Sequence, residues 1–398
     1  MTMLILNCGS SSIKFQVRDQ SGEELKCKGL IECIGEKTGA IKVSCGDKKV
    51  ELNKVISDHT LALRELAKLL ISPELGVMQS VNEIKAVGHR VVHGGEVYSD
   101  SVLIDDQAIH TIDKLSNLAP LHNPPNLKGI LACRELLPDA PQVAVFDTAF
   151  HATLPEHAYI YPLPREFYEK HRIRRYGFHG TSHRYVSERA RILAKLEDKP
   201  SKIITAHLGN GCSITAVKDG KSIETSMGFT PLCGLIMGTR PGLIDASIPH
   251  YLEDELGLSR KQVVEILQKK SGLLGISGGL SNDMRVLLDH YDSNRLAKLA
   301  VDMFCYRLKS FIGRYAAVLG GVDVLVFTGG IGENAAKVRD MSCANLEFLG
   351  IILDPTRNEK GSGKEALISD SKANVKVFVI PTNEELVIAR ETRRLTKE

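Results

Sequence analysis

At 398 residues the chain is longer than a single ordinary hydrophobic core supports, so we expect two domains. Its formal net charge of +3 is too small to give general affinity for nucleic acid or for a membrane surface. No apolar run approaches the roughly 20 residues that span a bilayer, and the first residues lack the charged and apolar regions of a signal peptide.

The first predicted element is a β-hairpin at residues 3–18. An apolar run ends in a glycine turn at Gly9, and residues 13–18 then alternate between apolar and polar side chains. Residues 203–220 follow the same plan, because a displacement of 200 positions places Gly9 on Gly209 and Val17 on Val217. The match is weak, and it suggests two similar domains that each open with a hairpin.

A third strand, residues 325–328, also ends in glycines, at Gly329 and Gly330. Glycine lets the backbone approach a ligand closely, and amide N–H groups exposed in such turns bind phosphate oxygens. Any one of the three turns is equally well explained as an ordinary tight turn. Together they favour one polyphosphate held from several sides, and hence a nucleotide.

Helical spacing of apolar residues and capping residues predict helices at residues 58–70, 126–137, 259–270 and 294–319. A capping-box spacing between Thr382 and Glu385 predicts a last helix that starts near Thr382. Strands and helices alternate along the chain, which indicates an α/β architecture. The domain boundary is expected near residue 150, after the apolar strand 143–146.

Three side chains outside the predicted helices suit phosphate chemistry. Arg90 and Arg240 lie in glycine-flanked loops, and a guanidinium offers a permanent charge and a planar fork that matches carboxylate or phosphate. A structural ion pair is the alternative for each. Asp147 follows the strand 143–146, where α/β proteins form ligand sites, although a turn or a helix cap would also suit it.

The sequence lacks the motifs of three common kinds of site. The P-loop pattern is absent, since its nearest approach at Gly363-Lys364 has the wrong residues on both sides. The strict G-x-G-x-x-G pattern fails at every glycine turn, which argues against a Rossmann dehydrogenase. His179 and His183 are four residues apart, but without the H-E-x-x-H form, and so zinc is not expected.

The cysteines indicate the compartment. There are nine, an odd number, and no C-x-x-C occurs in a long chain. This usage is typical of free thiols in a reducing environment, so we expect a cytoplasmic location.

Seven segments, taken together, resemble the acetate kinase family. They begin at Asn7, Gly88, Phe178, His207, Met237, Phe327 and Thr382, and read NCGSSSIK, GHRVVHGG, FHGTSH, HLGNG, MGTRPG, FTGGIGEN and TNEEL. Each segment alone is modestly specific, but their order from the first strand to the last helix is highly specific.

The resemblance implies an α/β protein with two duplicated actin-like, ribonuclease H-like domains, each a mixed sheet flanked by helices, and a cleft between them. Residues 1–149 with 386–398 would form the N-terminal domain, completed by the C-terminal helix. Residues 150–385 would form the nucleotide-binding C-terminal domain. A homodimer is also implied.

The resemblance also assigns roles to residues of this sequence. Asp147, His179 and Arg240 would be catalytic, and Arg90 would hold acetate. Around the acetate methyl group, a small pocket would be formed by Val92, Leu121, Phe178 and Pro231. Mg²⁺ or Mn²⁺ would be approached by Asn7 and Glu384. ATP or ADP would be bound by Lys14, His207, Leu208, Gly209, Asn210, Gly211, Asp283, Met284, Arg285, Gly330, Ile331, Gly332, Glu333 and Asn334.

The implied reaction is reversible, Mg²⁺-dependent, in-line transfer of the γ-phosphate of ATP to acetate, giving acetyl phosphate and ADP. A side-chain carboxyl titrates near ~4, so acetate is already ionised at neutral pH and needs no base. The obstacle is repulsion between two anions, which two arginines, a histidine and a metal would reduce. We therefore expect Asp147 to orient the metal or an arginine rather than to accept a proton.

Other functions remain open at this point. A propionate or other short-chain acyl kinase is the nearest alternative, because one methylene changes discrimination only roughly 10–200-fold. A sugar or glycerol kinase would need an acid–base carboxylate, and two loop arginines would be less expected. An actin- or Hsp70-like ATP-driven switch would not release ADP in response to acetate.

Overall fold

A computed structural model describes residues 2–397, and the chain divides into two compact units. The first unit is Met1–Phe150 with Asn383–Glu398, and the second is His151–Thr382. Each unit contains one mixed sheet with helices packed against it. The sequence predicts domain boundaries after residues 149 and 385, and the two units divide after residues 150 and 382.

The sheet of the first unit has eight strands in the order β5-β4-β3-β2-β1-β6-β8-β7. Strands β1, β6 and β8 run parallel to one another, and the other neighbours are antiparallel. From β1 to β8 the strands are Thr2–Cys8, Ile13–Asp19, Leu25–Glu32, Gly39–Cys45, Lys48–Lys54, Ile84–Val91, Val102–Leu103 and Gln142–Phe146.

The predicted first hairpin is confirmed. Strands β1 and β2 pair with Cys8 opposite Ile13, and Gly9 N donates to Ser12 O at 2.7 Å to close the turn. Alternation sends Ile13, Phe15 and Val17 into the core and leaves Lys14 exposed.

The helices of the first unit cover both faces of its sheet. They are α1 (His59–Leu70), α2 (Asp106–Lys114), α3 (Asn123–Leu136) and the C-terminal helix (Glu384–Thr396), with short 3₁₀ turns at Val81–Glu83 and Leu115–Asn117. Helices α1 and α3 pack over one apolar cluster, whereas the C-terminal helix contributes Ile388 and Ala389 to a cluster on β1, β6 and β8.

Helix starts follow the sequence signals, with one correction. Asp58 caps α1 by accepting from Leu61 N, and α3 begins at Asn123, three residues before the predicted start, with prolines in its first turn. The last helix, however, is capped by Asn383, which accepts from Leu386 N, and not by Thr382. Thr382 instead donates its hydroxyl to Ser182 Oγ at 2.8 Å.

The sheet of the second unit has six strands in the order β11-β10-β9-β12-β14-β13, of which β9, β12 and β14 are parallel. From β9 to β14 the strands are Lys202–Leu208, Cys212–Lys218, Lys221–Thr225, Val324–Thr328, Ala366–Leu367 and Lys376–Val379.

The predicted second hairpin is also confirmed, but the displacement of 200 holds for only one of its strands. Leu208 lies opposite Cys212, so three residues connect β9 to β10, whereas four residues connect β1 to β2. Val217 therefore pairs with Ile203, although the displacement predicts residue 204. The shorter turn moves β10 by one residue, because β9 lies 200 residues after β1 whereas β10 lies 199 residues after β2.

The helices of the second unit run from α4 to α14. They are Glu156–Tyr159, Arg165–His171, Gly180–Ala194, Ile248–Asp254, Arg260–Glu265, Gly272–Ile276, Met284–Asp289, Arg295–Leu319, Gly329–Asn334, Ala336–Cys343 and Pro355–Lys360. The long helix α11 is capped by Asn294 and ends at Gly320 in the left-handed conformation, as predicted. The predicted helix 259–270 is α-helical only to Glu265 and continues as a π-helix, Ile266–Lys270.

The expectation of nine free thiols is wrong for one pair. Cys27 and Cys45 form a disulfide, because the register of β3 and β4, with Lys28 opposite Ser44, brings them together. The other seven cysteines are free thiols. Within residues 2–397, no helix combines the length and the apolar character needed to cross a membrane.

Candidate functional site

Three predicted site residues of the first unit lie at one edge of its sheet. Strands β1, β6 and β8 are parallel, so their carboxyl ends, which carry Asn7, Arg90 and Asp147, meet there. The buried side chain of Asn126 on α3 holds two of these ends. It accepts from Val92 N at 3.0 Å and donates to Cys8 O at 2.7 Å.

Arg90 and Asp147 form a bidentate ion pair. Arg90 Nε donates to Asp147 Oδ1 at 2.9 Å and Nη2 donates to Oδ2 at 2.6 Å, and the Asp147 side chain is only 2% exposed. A Glu384 carboxylate oxygen lies 3.8 Å from Arg90 Nε. Burial disfavours the charged form of Arg90, but Asp147 and Glu384 outweigh it and raise the pKa of Arg90. Arg90 is therefore a permanent, oriented cation that stays partly accessible.

In the second unit, His179, Arg240 and Gly211 converge. A Cβ atom placed on Gly211 would lie 2.8 Å from Arg240 Nη2 and 3.3 Å from His179 Nε2. The glycine is thus needed because the two side chains approach its backbone. Two of the three glycine turns predicted to bind phosphate follow β9 and β12, which are neighbours in this sheet.

Arg240 has an unusual environment for a buried guanidinium. It is partly buried, its Nη1 donates to Pro231 O at 2.5 Å, and no carboxylate within residues 2–397 forms an ion pair with it. Burial lowers the pKa of Arg240, and this outweighs the opposite effect of Cys212. A desolvated cation that forms no ion pair with the described carboxylates is suited to bind an anion.

His179 is held in a strained conformation. It precedes α6 with φ of 56°, in the left-handed region that a residue with a side chain rarely adopts. Its ring stacks on that of His207 with centroids 4.3 Å apart, and its Nδ1 lies 2.9 Å from Ser213 Oγ. His207 in turn bonds through Nδ1 to Ser182 Oγ at 2.8 Å. The backbone strain and these contacts fix the ring of His179 beside Arg240.

A cavity of ≈ 660 Å³ opens near the ends of β9 and β12. Eight residues predicted to bind nucleotide line it: Gly209, Asn210, Asp283, Met284, Arg285, Gly330, Ile331 and Asn334. Three residues that the sequence did not single out, Asn282, Leu288 and Ala335, complete the lining. The mixture of apolar walls and amide and carboxylate groups suits a ligand with both a flat apolar part and polar edges.

The remaining residues predicted to bind nucleotide have other surroundings. The Leu208 side chain is fully buried, so only its backbone could meet a ligand. Glu333 Oε1 accepts from Gly329 N at 2.9 Å and from Thr382 N at 3.2 Å, and it therefore shapes the third glycine turn. Lys14 belongs to the first unit, where it lines a cavity with Lys28 and Glu385.

The four residues assigned to the methyl pocket differ in exposure. Val92 and Phe178 are buried, at 9% and 2% exposed. Pro231 is half-buried, and its carbonyl is already used by Arg240. Leu121, just before α3, is 57% exposed.

Comparison with known proteins decides the family. The model of the acetokinase family matches residues 2–390. The chain belongs to the acetokinase family. It is 52% identical to acetate kinase of Caldanaerobacter subterraneus, over all of this chain and 99% of that one.

Two solved structures of the family have the same fold as this chain. Acetate kinase of Porphyromonas gingivalis superimposes with a TM-score of 0.94 at 46% identity, over the whole of both chains. A propionate kinase from Francisella tularensis gives a TM-score of 0.92 at 44% identity, over 99% of each chain.

The metal implied by the family resemblance can be compared with the donor set. Asn7 offers an amide oxygen, and Glu384 offers a carboxylate on the same unit. No group of three or more His, Cys, Asp or Glu side chains among residues 2–397 could hold a metal. Mg²⁺ commonly takes one or two protein oxygens and completes its shell with phosphate and water. The chemistry of these two oxygen donors is therefore compatible with Mg²⁺.

Sequence reasoning missed the polar residues behind the site. Asn126 ties the strand ends of the first unit, and Ser213 and Thr205 lie beneath the histidines of the second. Ser213 and Thr205 belong to buried strands, where serine and threonine look like ordinary strand residues. The sequence His-Asn-Pro-Pro-Asn at the start of α3 was the one available signal, because asparagine side chains near a helix start commonly bond backbone groups.

Proposed function

We propose that this protein transfers the γ-phosphate of ATP to acetate, reversibly and with Mg²⁺, to give acetyl phosphate and ADP. Membership of the acetokinase family supports the class of reaction. The observation that carries the proposal is Arg240, a desolvated guanidinium that pairs with no carboxylate among residues 2–397 and lies beside Gly211 and His179. An incoming phosphoryl group would supply the missing negative charge.

The nucleotide is assigned to the second unit. Its base and sugar would occupy the cavity lined by Asn282, Met284 and Ile331. The glycine turns after β9 and β12 would offer backbone N–H groups to the phosphates. Arg240 and His179 Nε2 would then stabilise charge on the transferring phosphoryl group, which is the main contribution a protein makes to this reaction.

Acetate is assigned to Arg90 in the first unit. Asp147 uses two of the guanidinium's donor positions and fixes its plane, and the accessible part of Arg90 remains for a second carboxylate. A carboxylate oxygen of acetate would attack the γ-phosphorus, and the bond from that phosphorus to the β,γ-bridging oxygen would break, with its electron pair leaving on ADP. No proton moves, because acetate is already ionised.

Asp147 therefore has a positioning role in this proposal. It is bonded through both oxygens to Arg90 and is almost wholly buried, so it is poorly placed to collect a proton. Asn7 and Glu384 would hold Mg²⁺, which when bound neutralises charge on the phosphates.

The test is a comparison of kcat/KM for acetate, propionate and butyrate, with acetyl phosphate identified as the product. We expect acetate to give the highest value, and ATP consumption to require it. ATP hydrolysis that is independent of any carboxylate would contradict the proposal and would favour an ATP-driven switch. Phosphorylation of a sugar hydroxyl would contradict it as well.

A propionate kinase is the second candidate, supported by the similarity to the Francisella tularensis protein described as one. The same residues would perform the same chemistry, with one more methylene in the pocket. A kcat/KM for propionate above that for acetate would favour this candidate, since a methylene contributes roughly 1–3 kcal/mol to discrimination.

We also propose a homodimer in the cytoplasm. The family resemblance supports the dimer. Seven of the nine cysteines are free thiols, which favours a reducing compartment, whereas the Cys27–Cys45 disulfide weighs against one. Light scattering should give twice the chain mass of 43.7 kDa, and a monomer at micromolar concentration would refute the dimer. Cell fractionation tests the location.

A further inference from the structure

A line of four polar side chains in the second unit ends at His179. Thr205 Oγ1 lies 2.7 Å from His183 Nδ1, His183 Nε2 lies 2.7 Å from Ser213 Oγ, and Ser213 Oγ lies 2.9 Å from His179 Nδ1. Thr205, His183 and Ser213 are each 0% exposed. Since water does not reach them, each proton in this line must find its acceptor among these atoms or the adjacent backbone.

The protons can be arranged in two directions. Ser213 has a single hydroxyl proton, so it donates to one histidine and accepts from the other. In the first direction, His183 Nε2–H donates to Ser213, and Ser213 donates to His179 Nδ1. In the second direction, His179 Nδ1–H donates to Ser213, Ser213 donates to His183 Nε2, and His183 Nδ1–H donates to Thr205.

Thr205 decides between the two directions. His183 Nδ1 is the only hydrogen-bond partner of the Thr205 hydroxyl within residues 2–397. In the second direction that nitrogen carries a proton, and the buried Thr205 hydroxyl proton has no acceptor, which is costly. In the first direction Thr205 donates to His183 Nδ1, and every bond in the line is made. Burial lowers the pKa of His183 well below its usual value, so His183 is neutral and can accept at Nδ1.

We propose that Thr205, His183 and Ser213 are positioning residues that hold His179 in the tautomer with its proton on Nε2. Nε2 lies on the side of the ring that faces Gly211 and Arg240. The inference rests on the proposed function, in which this N–H donates to the transferring phosphoryl group. The other tautomer would present a lone pair to an anion, and it would oppose transfer.

The tautomer can be observed directly in the wild-type protein. Two-dimensional ¹⁵N–¹H NMR of protein labelled at histidine separates protonated from unprotonated ring nitrogens, and the His179 signals are assigned by their loss in His179→Gln. We expect a proton on Nε2 and none on Nδ1 at neutral pH. A proton on Nδ1, or on both nitrogens, overturns the inference whatever the variants do.

Variants then test the line. In Ser213→Ala we expect a mixture of tautomers and a kcat lower by roughly 10–100-fold, the range seen when the hydrogen-bond partner of a metal-bound histidine is removed. The KM for ATP should change little. Thr205→Val should also mix the tautomers, because it removes the group that sets the direction, whereas Thr205→Ser retains the hydroxyl and should behave as wild type.

Ser222→Ala is the matched control, because Ser222 is buried and bonds to His151 Nδ1 at 2.9 Å but contributes nothing to this line. We expect it to leave the tautomer of His179 unchanged. A lower kcat in Ser213→Ala with the Nε2 tautomer intact would overturn the positioning role. If Ser213→Ala loses the Nε2 tautomer of His179 but keeps the wild-type kcat, the hydrogen-bonded line sets the tautomer as proposed. The role of His179 in the proposed function would then be refuted.

Discussion

Replacing Asp147 by asparagine removes the charge that orients Arg90 while preserving the shape of the side chain. The native pair makes hydrogen bonds of 2.9 and 2.6 Å, and Asp147 is nearly inaccessible. Asparagine keeps one acceptor oxygen and turns an NH₂ group toward the guanidinium, so one of the two bonds becomes a donor–donor contact. Glu384, at 3.8 Å, remains to offset part of the charge.

The magnitude follows from these contacts. A hydrogen bond to a charged group contributes about 1.5–3 kcal/mol, and breaking a buried ion pair costs about 3–5 kcal/mol. With one bond retained and Glu384 nearby, we expect Asp147→Asn to lower the free energy of unfolding by about 3 kcal/mol. If the same loss of orientation appears in the transition state, kcat/KM for acetate falls about 100-fold, which is about 2.7 kcal/mol.

Urea unfolding and steady-state kinetics from pH 5.5 to 9 measure the two effects. Glu365→Gln is the matched control, because Arg189 also binds Glu365 through two bonds, of 2.6 and 2.8 Å, but that pair is about one-third exposed. Exposed ion pairs contribute about 0–1 kcal/mol, so Glu365→Gln should change the free energy of unfolding and kcat/KM very little. Wild-type stability and activity in Asp147→Asn would refute the reasoning, and loss of one limb of the pH–rate profile would show that Asp147 is a base.

Three further outcomes are expected. Arg240→Ala should lower kcat by roughly 10²–10³, about 3 kcal/mol in barrier, with an unchanged circular dichroism spectrum, and near-normal turnover would contradict its role. Gly211→Ala should lower kcat because its methyl group would meet Arg240 at 2.8 Å, whereas Gly313→Ala, where nothing lies within 4 Å, should leave activity unchanged. Burial lowers the pKa of His89 and of His151 to about 4. Between about pH 4 and pH 6.5 the unfolded chain therefore binds more protons than the folded protein does. The free energy of unfolding should therefore fall as pH falls through that window, by up to about 1.4 kcal/mol per pH unit for each histidine, and His89→Gln should show a smaller slope in urea titrations.

The grouping of Asn7, Arg90 and Asp147 at one edge could be predicted in part. Each follows an apolar run, and the carboxyl ends of parallel strands meet at one edge. The sequence could not show that Asp147 would bind Arg90 through both oxygens, because that contact depends on side-chain direction across β6 and β8. The choice between a base and an orienting carboxylate therefore came from the chemistry of acetate.

The hydrogen-bonded line behind His179 could not be predicted from the sequence. Thr205 and Ser213 lie on adjacent strands, β9 and β10, and His183 lies on α6, so the three meet only through tertiary packing. The disulfide between Cys27 and Cys45 was missed for a similar reason, since it depends on the register of β3 and β4.

The cap of the last helix shows how local signals compete. Thr382 and Asn383 both carry a side chain that can cap. Asn383 bonds Leu386 N, while the hydroxyl of Thr382 is used by Ser182. One-residue errors of this kind follow whenever two neighbouring residues can satisfy the same amide and tertiary contacts decide between them.

The central claim is that a carboxylate oxygen of acetate attacks the terminal phosphorus of ATP directly. ³¹P NMR of the product formed from ATP and [¹⁸O]acetate tests it, because an ¹⁸O atom bonded to phosphorus shifts the resonance. We predict equal amounts of ADP and acetyl phosphate, with label in the bridge between carbon and phosphorus. Acetyl phosphate without label at phosphorus, or ADP formed without acetyl phosphate, would contradict the account.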